Sequence, residues 1–315
     1  MRKIPVHYMQ SPAYAKFMEK LGWEVCEVAN THTNLYAYGK KIPLLGSLLK
    51  IPRSPLPLDM SPIDRLAKSK RALFTKLEPN AVFETELTNL PIEYMSDPEF
   101  ELVPEHAKKD SPVAQTKTIV VDLTPIPEKI EKRFKTDVRT SLRHAAANNL
   151  IALESKNIDE FYALFEVLAK ERGFYYPFSK QMHYLYNAFN ENAKIIMTYR
   201  SPREKNPEPL AGCFLILHDG VAYYKYAASL PEGRKIGAPY LTLWKAMLLA
   251  KKAGCKVIDL EGITDERYPE TKKYKGITHF KQSWGGTTLT YLGSYAKSYS
   301  TIYSFLSTIA RAFSR

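Results

Sequence analysis

The chain has 315 residues, of which 45% are hydrophobic and 25% are charged, and both fractions are ordinary for a globular protein. This length exceeds what one ordinary hydrophobic core needs, so it predicts two domains of roughly 150 residues each. Forty-five lysines and arginines against 33 aspartates and glutamates give a formal net charge of +12, which favours a polyanionic partner such as nucleic acid, anionic lipid or a phosphorylated substrate. A basic surface that serves only solubility remains an alternative.

The cysteines and the apolar segments exclude other classes of protein. Cys26, Cys213 and Cys255 form no C-x-x-C pair, which argues against a disulfide scaffold and against a cysteine-built zinc site. No apolar run approaches the ~20 residues of a membrane span, and the first ten residues lack a signal-peptide core. The sequence therefore predicts a cytoplasmic protein.

Several catalytic motifs are missing. The sequence contains neither the G-x-x-x-x-G-K-[ST] phosphate loop nor the G-x-S-x-G nucleophile turn, and its seven histidines show no i, i+4 spacing. These absences disfavour ATP use, covalent catalysis and a bound metal. We expect neither a metal nor a cofactor.

The first part of the chain predicts alternating helices and strands. Ser11 and Pro12 are typical of a helix start, and Ser61 begins a second helix. The apolar side of this second helix is predicted to carry Ile63, Leu66 and Leu73. Strands are predicted over WEVCEVAN, TNLYAYG and AVFETEL. Between them, IPLLGSLLKIPRSPLPLDM predicts a short strand that runs into a buried loop, and residues 90–111 predict irregular connections.

A second set of elements begins with the predicted strand KTIVVDL. In the helical segment 124–149, Ile130, Phe134, Val138 and Leu142 recur every four residues and are predicted to face the core. The next helix is NIDEFYALFEVLAKERG, with an Asn-x-x-Glu start and a glycine stop.

The rest of the chain predicts strands in KIIMTYR, PLAGCFLILHDG and VAYYKYAAS, the last two joined by a hairpin turn at Asp219–Gly220. A helix over APYLTLWKAMLLAKKAG, a strand KVIDLEG, a short helix HFKQSW, a strand TTLTYLGSY and a terminal helix from about Tyr299 follow. This order of hairpins and helical crossovers predicts mixed sheets and not a doubly wound parallel sheet.

Three segments carry groups suited to binding or catalysis. A basic stripe (Lys135, Arg139 and Arg143) either binds phosphates or forms a solvated helix face. Asp259 and Glu261 end a strand and could accept a proton or form structural salt bridges. Arg234, Gly237 and Ala238 in GRKIGAP resemble the coenzyme A loop of GNAT acyltransferases, although Pro239 removes an N–H donor; a helix start that proline initiates is the alternative.

Lys281 lies in HFKQSWGG between Phe280 and Trp284. One interpretation is an exposed lysine on the last turn of a helix, with its aliphatic stem over its aromatic neighbours. A second interpretation is a lysine held in place for catalysis.

The ordered segments of the chain decide between these interpretations. SPAYAKFMEKLGW, LLKIPRSPLP, IVVDL with its basic helix, YYKYAAS, APY, DLEGI and HFKQSWGG…YLGSY resemble, over nearly the whole chain, the FemABX peptidoglycan-bridge aminoacyltransferases. Members of this family pass an amino acid from aminoacyl-tRNA to an amine of the stem peptide in a UDP-linked or lipid-linked cell-wall precursor. The resemblance implies two tandem GNAT-like domains, which we place at 1–117 with 292–315 and at 118–291.

The resemblance also implies roles for individual residues. Lys281 and Phe280 match the catalytic Phe-Lys pair, in which the lysine stabilises the oxyanion and the tRNA end. Tyr226 and Lys16 match residues that contact the precursor. Lys180 and Tyr184 match an Arg and a Tyr with that role only after a short insertion.

The implied partners are aminoacyl-tRNA and a muropeptide precursor. The apolar side of the terminal helix either packs back on the first domain or contacts the inner membrane face. We expect a monomer. The long charged helical hairpin of some members is missing, so how the tRNA is held stays open.

Two alternatives remain at this point: an acyl-CoA-dependent GNAT N-acyltransferase, and a non-enzymatic basic protein that binds RNA or a membrane surface. The transferred amino acid, the proton acceptor and the carrier of the precursor stay open as well.

Overall fold

The computed structural model of the chain describes residues 5–30, 34–85, 90–93, 95–96, 108–173, 177–200 and 208–300. The helices are α1 (Pro12–Lys20), α2 (Met60–Ser69), α3 (Pro127–Glu131), α4 (Thr136–Ala147), α5 (Ile158–Arg172), α6 (Ser179–Phe189), α7 (Pro231–Lys235), α8 (Ala238–Lys252) and α9 (Lys275–Gln282). The strands are β1 (Glu24–Val28), β2 (Leu35–Ile42), β3 (Gly46–Ser54), β4 (Ala72–Pro79), β5 (Ala81–Thr85), β6 (Met95–Ser96), β7 (Lys108–Asp110), β8 (Lys117–Asp122), β9 (Leu150–Ser155), β10 (Ala193–Arg200), β11 (Pro209–His218), β12 (Val221–Ser229), β13 (Val257–Gly262), β14 (Thr287–Tyr291) and β15 (Ser294–Ser298).

The chain forms two compact units. The N-unit comprises Val6–Thr85, Tyr94–Thr116 and Thr290–Arg315, and the C-unit comprises Met1–Pro5, Glu86–Glu93 and Lys117–Leu289. The described strands form two sheets and the two units have separate hydrophobic cores, so the chain has the mixed α/β fold that the sequence predicts.

The N-unit sheet has the strand order β1-β2-β3-β4-β15-β7. β3 and β4 run parallel with α2 as their crossover, whereas β1–β2, β2–β3, β4–β15 and β7–β15 are antiparallel. Because β15 lies between β4 and β7, the segment Ser294–Ser298 returns to the first unit, as predicted. Its core is formed mainly by Val28, Leu35, Ala37, Ile51, Ile63, Leu77, Leu292 and Tyr295.

The C-unit sheet runs β14-β8-β13-β12-β11-β10-β9. Here β12 and β13 are parallel with α8 as their crossover, and the pairs β8–β13, β11–β12, β10–β11 and β9–β10 are antiparallel. A hairpin followed by a parallel crossover therefore occurs in both units.

Helices cover both faces of the C-unit sheet. Phe214 and Leu215 are neighbours on β11, so their side chains point to opposite faces. Phe214 packs against Phe161 of α5 at 6.4 Å between ring centroids, whereas Leu215 belongs to the core that includes Met247 of α8. The strands between these helices are accordingly apolar on both sides.

The local signals near the start of the chain and in the long helical segment are confirmed. Ser11 caps α1 by accepting a hydrogen bond from Tyr14 N at 3.2 Å, with Pro12 at the first helical position. Ile130, Phe134 and Val138 are fully buried in the C-unit core.

Two helix limits differ from the prediction. Leu73 lies in β4, because α2 is capped at Lys70 and Arg71 takes a left-handed φ of 49°. The predicted helix 124–149 is interrupted between α3 and α4, where Lys135 N donates to Ser283 O at 2.9 Å instead of continuing the helical ladder.

Other elements were missed or divided. β9 was not predicted; it is an edge strand with a single neighbour and only two buried side chains. α6 was not predicted either, although Met182, Leu185 and Phe189 have helical spacing and are buried. The predicted strand TTLTYLGSY is two strands separated at Gly293, which has φ 104°. The predicted terminal helix falls on residues 301–315, outside the described residues.

Gly237, at the start of α8, supports the packing of α8 on α4. It has φ 85°, and a Cβ there would lie 2.2 Å from Ser141 O. Gly254, after α8, has a similar φ of 87° but open space around it. We expect Gly237→Ala to lower the free energy of unfolding by about 3 kcal/mol, the sum of left-handed strain and a backbone clash.

Gly254→Ala is the matched control, because it introduces only the strain and should reduce stability by about 1 kcal/mol. Denaturant unfolding of both variants measures the difference. Equal losses of stability in the two variants would show that α4 moves to accommodate the Cβ at position 237.

Candidate functional site

The candidate site lies where β12 and β13 separate. Their parallel pairing runs from Val221 opposite Val257 to Tyr223 opposite Asp259. Directly beyond, each strand carries an extra residue relative to its antiparallel neighbour: Lys225 on β12 and one residue between Asp259 and Gly262 on β13. Bulges change where side chains point and often occur beside active sites.

The two bulges bring opposite charges together. Lys225 Nζ lies 3.5 Å from Glu261 Oε2, and these side chains are only 15% and 9% exposed. Glu261 has a left-handed φ of 58°. A non-glycine residue there carries strain of roughly 1–2 kcal/mol, which the surrounding contacts must offset.

Thr118 and Asp259 brace the strained segment of β13. The Thr118 hydroxyl donates to Asp259 Oδ1 and lies 3.1 Å from the carbonyl oxygen of Glu261. Asp259 Oδ1 also accepts from Glu261 N at 2.7 Å. Asp259 is 4% exposed, so these bonds form in a dry environment where they hold the backbone firmly.

Lys281 on α9 reaches the same segment. Its Nζ donates to Gly262 O at 2.7 Å, and the residue is only 7% exposed. Burial lowers the pKa of its ammonium to about 8, with Glu261 and Asp259 opposing the shift and Lys225 adding to it. The interpretation of an exposed lysine is therefore wrong: the residue is buried, and its ammonium is bound at the end of β13.

Phe280 fixes the helix that carries Lys281. Its ring packs against Tyr240 of α8 at 5.0 Å and against Trp284 at 5.9 Å between centroids. Trp284 is fully buried and contacts Phe134 at 4.9 Å. This aromatic cluster anchors α9 to α8 and to the segment between α3 and α4, so Phe280 orients Lys281 through packing.

Two glycines follow α9 because the chain passes close to other backbone there. Gly285 has φ 68°, and a Cβ on it would lie 2.3 Å from Arg133 O; a Cβ on Gly286 would lie 2.7 Å from Val120 O. A cavity of about 270 Å³ beside these glycines is lined by Arg133 and Asp122, which pair at 3.2 Å. It is built around this ion pair and not around Lys281.

Tyr226 owes its position to the bulge at Lys225. Without the extra residue, Tyr224 and Tyr226 would face the same side of the sheet. Instead Tyr224 joins the α8 core, whereas Tyr226 packs against Phe165 of α5 at 5.4 Å and Phe214 at 6.1 Å. Burial raises the pKa of its hydroxyl, with Lys225 opposing and Glu261 adding to the shift.

The structure therefore brings some of the predicted site residues together. Lys281 and Tyr226 both lie close to the Lys225–Glu261 pair. Lys180 and Tyr184 lie on α6, with Lys180 Nζ 5.6 Å from the Tyr184 ring centroid, and α6 contacts the same sheet face through Tyr186. Lys16 is an exposed residue of α1 in the N-unit.

The basic stripe is less uniform than its sequence spacing suggests. Lys135 and Arg143 are exposed, whereas Arg139 folds back and donates to Phe134 O at 2.9 Å. Arg139 thus helps to cap the break before α4. Lys135 and Arg143 are the members of the stripe that present their charges to solvent.

The GRKIGAP loop is engaged in packing. Arg234 donates to Ser229 O at 2.6 Å and to Glu171 at 2.7 Å. At the start of α8, Tyr240 N and Leu241 N both donate to Gly237 O, and Gly237 is buried against α4. These N–H groups are used within the protein, which disfavours a pyrophosphate at this helix start.

Sequence reasoning missed Lys225. The available signal was a lysine between two tyrosines in an otherwise apolar strand, where charges are rare. Its partner Glu261 was recognised only as a candidate base, because a sequence does not reveal two bulges in neighbouring strands.

The candidate site lies within the part of the chain that matches a family model. Residues 198–311, which include β12, β13 and α9, match the model of the FemAB family. This part of the chain is therefore similar to the FemAB family. The family predicted from the ordered segments is thus confirmed.

The solved structures extend the similarity in fold to nearly the whole chain. FemX matches with a TM-score of 0.73 at 14% identity, over 93% of this chain and 92% of that chain. The C-terminal domain of a putative lysylphosphatidylglycerol synthetase from Agrobacterium fabrum matches with 0.61 at 11% identity, over 97% and 93%. A tandem GNAT protein from the clavulanic acid biosynthesis pathway matches with 0.51 at 9% identity, over 88% and 83%. The comparison with curated protein sequences gave no match.

Within the described ranges, none of the helices combines the length and the apolar character needed to cross a bilayer.

The charge cluster predicts opposite effects of two substitutions on Lys281. Glu261→Gln removes an anion and should lower the pKa of Lys281 below about 8, whereas Lys225→Met removes a cation and should raise it. NMR titration of lysine side chains labelled at Cε measures both values. Lys275→Met, an exposed change on α9, is the control and should leave the Lys281 titration in place. Shifts in the same direction for both cluster variants would contradict this electrostatic account.

Proposed function

We propose that this protein transfers an amino acid from aminoacyl-tRNA to an amine of the stem peptide in a peptidoglycan precursor. The observation that carries the proposal is the buried ammonium of Lys281, held at the end of β13 by Gly262 O in a FemAB-family domain. The fold similarity to FemX is consistent with it.

The chemistry needs little from the protein besides position and charge. The acceptor amine forms a C–N bond to the ester carbonyl of the donor, the bond to the ribose oxygen breaks, and the amine loses a proton. Because the ester is already activated, the proposal includes neither a cofactor nor a metal. A fixed donor at the oxygen that gains negative charge contributes roughly 3–4 kcal/mol to catalysis. In this proposal Lys281 is that donor and Phe280 positions it.

Glu261 and Lys225 complete the proposed catalytic group. A buried lysine tends to lose its proton, and the nearby carboxylates of Glu261 and Asp259 oppose this loss. Lys225 keeps Glu261 from pairing fully with Lys281. The ammonium of Lys281 therefore stays charged at neutral pH and still has binding capacity for an oxyanion.

The precursor would contact Tyr226, Lys180, Tyr184 and Lys16. Tyr226 presents a hydroxyl beside the charge cluster, and Lys180 and Lys16 are exposed cations suited to phosphates of the precursor. We further propose that the protein acts as a cytoplasmic monomer.

The acyl-CoA alternative is disfavoured by the start of α8, where the packing of Gly237 on α4 and the missing N–H of Pro239 leave little room and few donors for a pyrophosphate. A purely binding role is disfavoured by Lys281, because a buried ammonium with a lowered pKa reduces stability and is not needed for surface binding.

Lys281→Met tests the catalytic role. The substitution keeps the length of the side chain and removes the charge, so single-turnover transfer from a charged tRNA should slow by roughly 10²–10³. Because burial disfavours the charged form of Lys281, removal of the charge should offset the lost hydrogen bond to Gly262 O, and the melting temperature should stay close to the wild-type value. Lys275→Met should transfer at the wild-type rate. Wild-type transfer by Lys281→Met would remove Lys281 from the mechanism.

The pH dependence of transfer distinguishes two roles for Lys281. An oxyanion donor must be protonated, and the pKa of Lys281 is about 8, so the transfer rate should fall above about pH 8. The fall should move to lower pH in Glu261→Gln and to higher pH in Lys225→Met. A rate that rises to a plateau above pH 8 would instead assign Lys281 as the base.

The exposed members of the basic stripe should bind the donor through its phosphates. Each contact contributes a slope of roughly −0.7 to −0.9 to the dependence of log affinity on log salt. The double substitution Lys135→Ala with Arg143→Ala should therefore weaken tRNA binding and flatten its slope by about 1.4–1.8.

The control for the stripe is Lys252→Ala with Lys256→Ala, which removes two exposed lysines elsewhere in the C-unit. Filter binding over a series of salt concentrations measures the tRNA affinity of both double variants. Equal salt slopes for the two double variants would mean that the basic stripe is only a solvated helix face. If the stripe variant loses affinity for the precursor alone, the stripe binds that substrate instead.

A further inference from the structure

The turn between β2 and β3 exposes an unusual amount of apolar surface. Pro43, Leu44 and Leu45 form its loop, which we call the apolar tip; Leu44 is fully exposed and Leu45 is 58% exposed. Hairpin loops normally carry polar residues or glycine. Two neighbouring leucines at the end of a hairpin therefore need an explanation beyond folding.

The backbone of the apolar tip makes Leu44 still less expected. Leu44 has a left-handed φ of 64°. Glycine, asparagine and aspartate adopt this conformation much more readily than leucine. At a position where folding alone favours a polar residue, the chain has an exposed leucine, which points to a use for its side chain.

Four basic residues from the end of β2 and the end of α2 lie near the apolar tip. They are Lys41, Lys68, Lys70 and Arg71, which we call the basic collar. Three of these side chains are exposed, and Lys70 pairs with Glu24.

Backbone contacts fix the collar beside the tip. Ser47 N donates to Arg71 O at 3.1 Å, and the Ser47 hydroxyl donates to Lys70 O at 2.8 Å. A Cβ on Gly46 would lie 2.3 Å from Arg71 O, so the end of α2 lies directly against the start of β3. Lys41 is opposite Ser47 in the β2–β3 register. The segments 40–54 and 65–77 contain no acidic residue.

We propose that the apolar tip and the basic collar form a docking surface for an anionic phospholipid bilayer. The two leucines enter the boundary between head groups and acyl chains, while the collar contacts lipid phosphates. Apolar insertion together with basic residues is the combination by which peripheral proteins bind anionic membranes. Nucleic acid would satisfy the collar and leave the leucines in water, so the bilayer fits the surface better.

The consequence for the reaction rests on the proposed function. A protein docked in this way meets acceptors that are carried on a lipid, which selects the lipid-linked form of the precursor.

The test is sedimentation of the full chain with vesicles of phosphatidylcholine that contain about 30 mol% phosphatidylglycerol, at about 0.1 M salt. Wild-type protein should bind these vesicles and not pure phosphatidylcholine. Leu44→Asp with Leu45→Asp should lower the partition coefficient tenfold or more. Lys41→Gln with Lys68→Gln should lower it about fivefold for each lysine and flatten its salt dependence.

The matched control is Val113→Asp with Val167→Asp, which adds the same charge on side chains that are 63% and 50% exposed. Its binding should stay within about threefold of wild type, because it adds the same charge outside the apolar tip and the basic collar. Melting run in parallel checks folding, and Leu44→Asp should not lower the melting temperature, since aspartate tolerates the left-handed conformation.

Vesicle binding that is equal for wild type and the leucine variant, or absent in wild type, would overturn the proposal. So would a leucine variant that loses tRNA binding and keeps vesicle binding, because the surface would then belong to nucleic acid. None of these measurements uses aminoacyl transfer, so a failure of the proposed function leaves their outcome unchanged.

Discussion

The candidate site depends on a strained turn of backbone at Glu261. The bulge near the end of β13 directs the Glu261 side chain toward Lys225 and the carbonyl of Gly262 toward Lys281. A left-handed glutamate persists only where its surroundings hold it, and here Thr118 and Asp259 do so. The buried charges at this site are therefore a consequence of one backbone conformation that hydrogen bonds enforce.

Burial gives Lys281 properties that an exposed lysine lacks. In a dry environment an ammonium interacts more strongly with a developing negative charge, but it also loses its proton more easily. The carboxylates of Glu261 and Asp259 raise the pKa of Lys281 and so offset this tendency, whereas Lys225 lowers it. The same helix is fixed at its other contacts: Phe280 packs on Tyr240, and Ser283 donates to Asp137 Oδ2 at 2.7 Å. Packing therefore fixes the position of Lys281, and its charged neighbours set the pKa of its ammonium.

Much of the fold could be predicted because its signals are local. The cap at Ser11, the stripe through Phe134 and the turn at Asp219–Gly220 each depend on residues within a few positions of one another. The break before Lys135 could not be predicted, because its cause is a hydrogen bond to Ser283, far along the chain.

The candidate site also combines features that local sequence predicts with features that depend on contacts far along the chain. Lys281 and Tyr226 were predicted through a family resemblance, and the short amphipathic helix around Lys281 is visible in the sequence. Its burial is not, because it depends on how α9 packs against β13 and α8. Lys225 was missed since a bulge leaves no reliable mark in a single sequence, and the fold-back of Arg139 onto Phe134 O depends on the same break in the helix.

In the proposed reaction the donor is an aminoacyl-tRNA and the acceptor is a cell-wall precursor. The most direct measurement is mass spectrometry of UDP-linked and lipid-linked precursors after incubation with the protein and a mixture of charged tRNAs. The account predicts that a precursor gains the mass of one amino-acid residue, that uncharged tRNA gives no product, and that acyl-CoA does not replace the donor. A mass gain from acyl-CoA, or no gain with any charged tRNA, would contradict it.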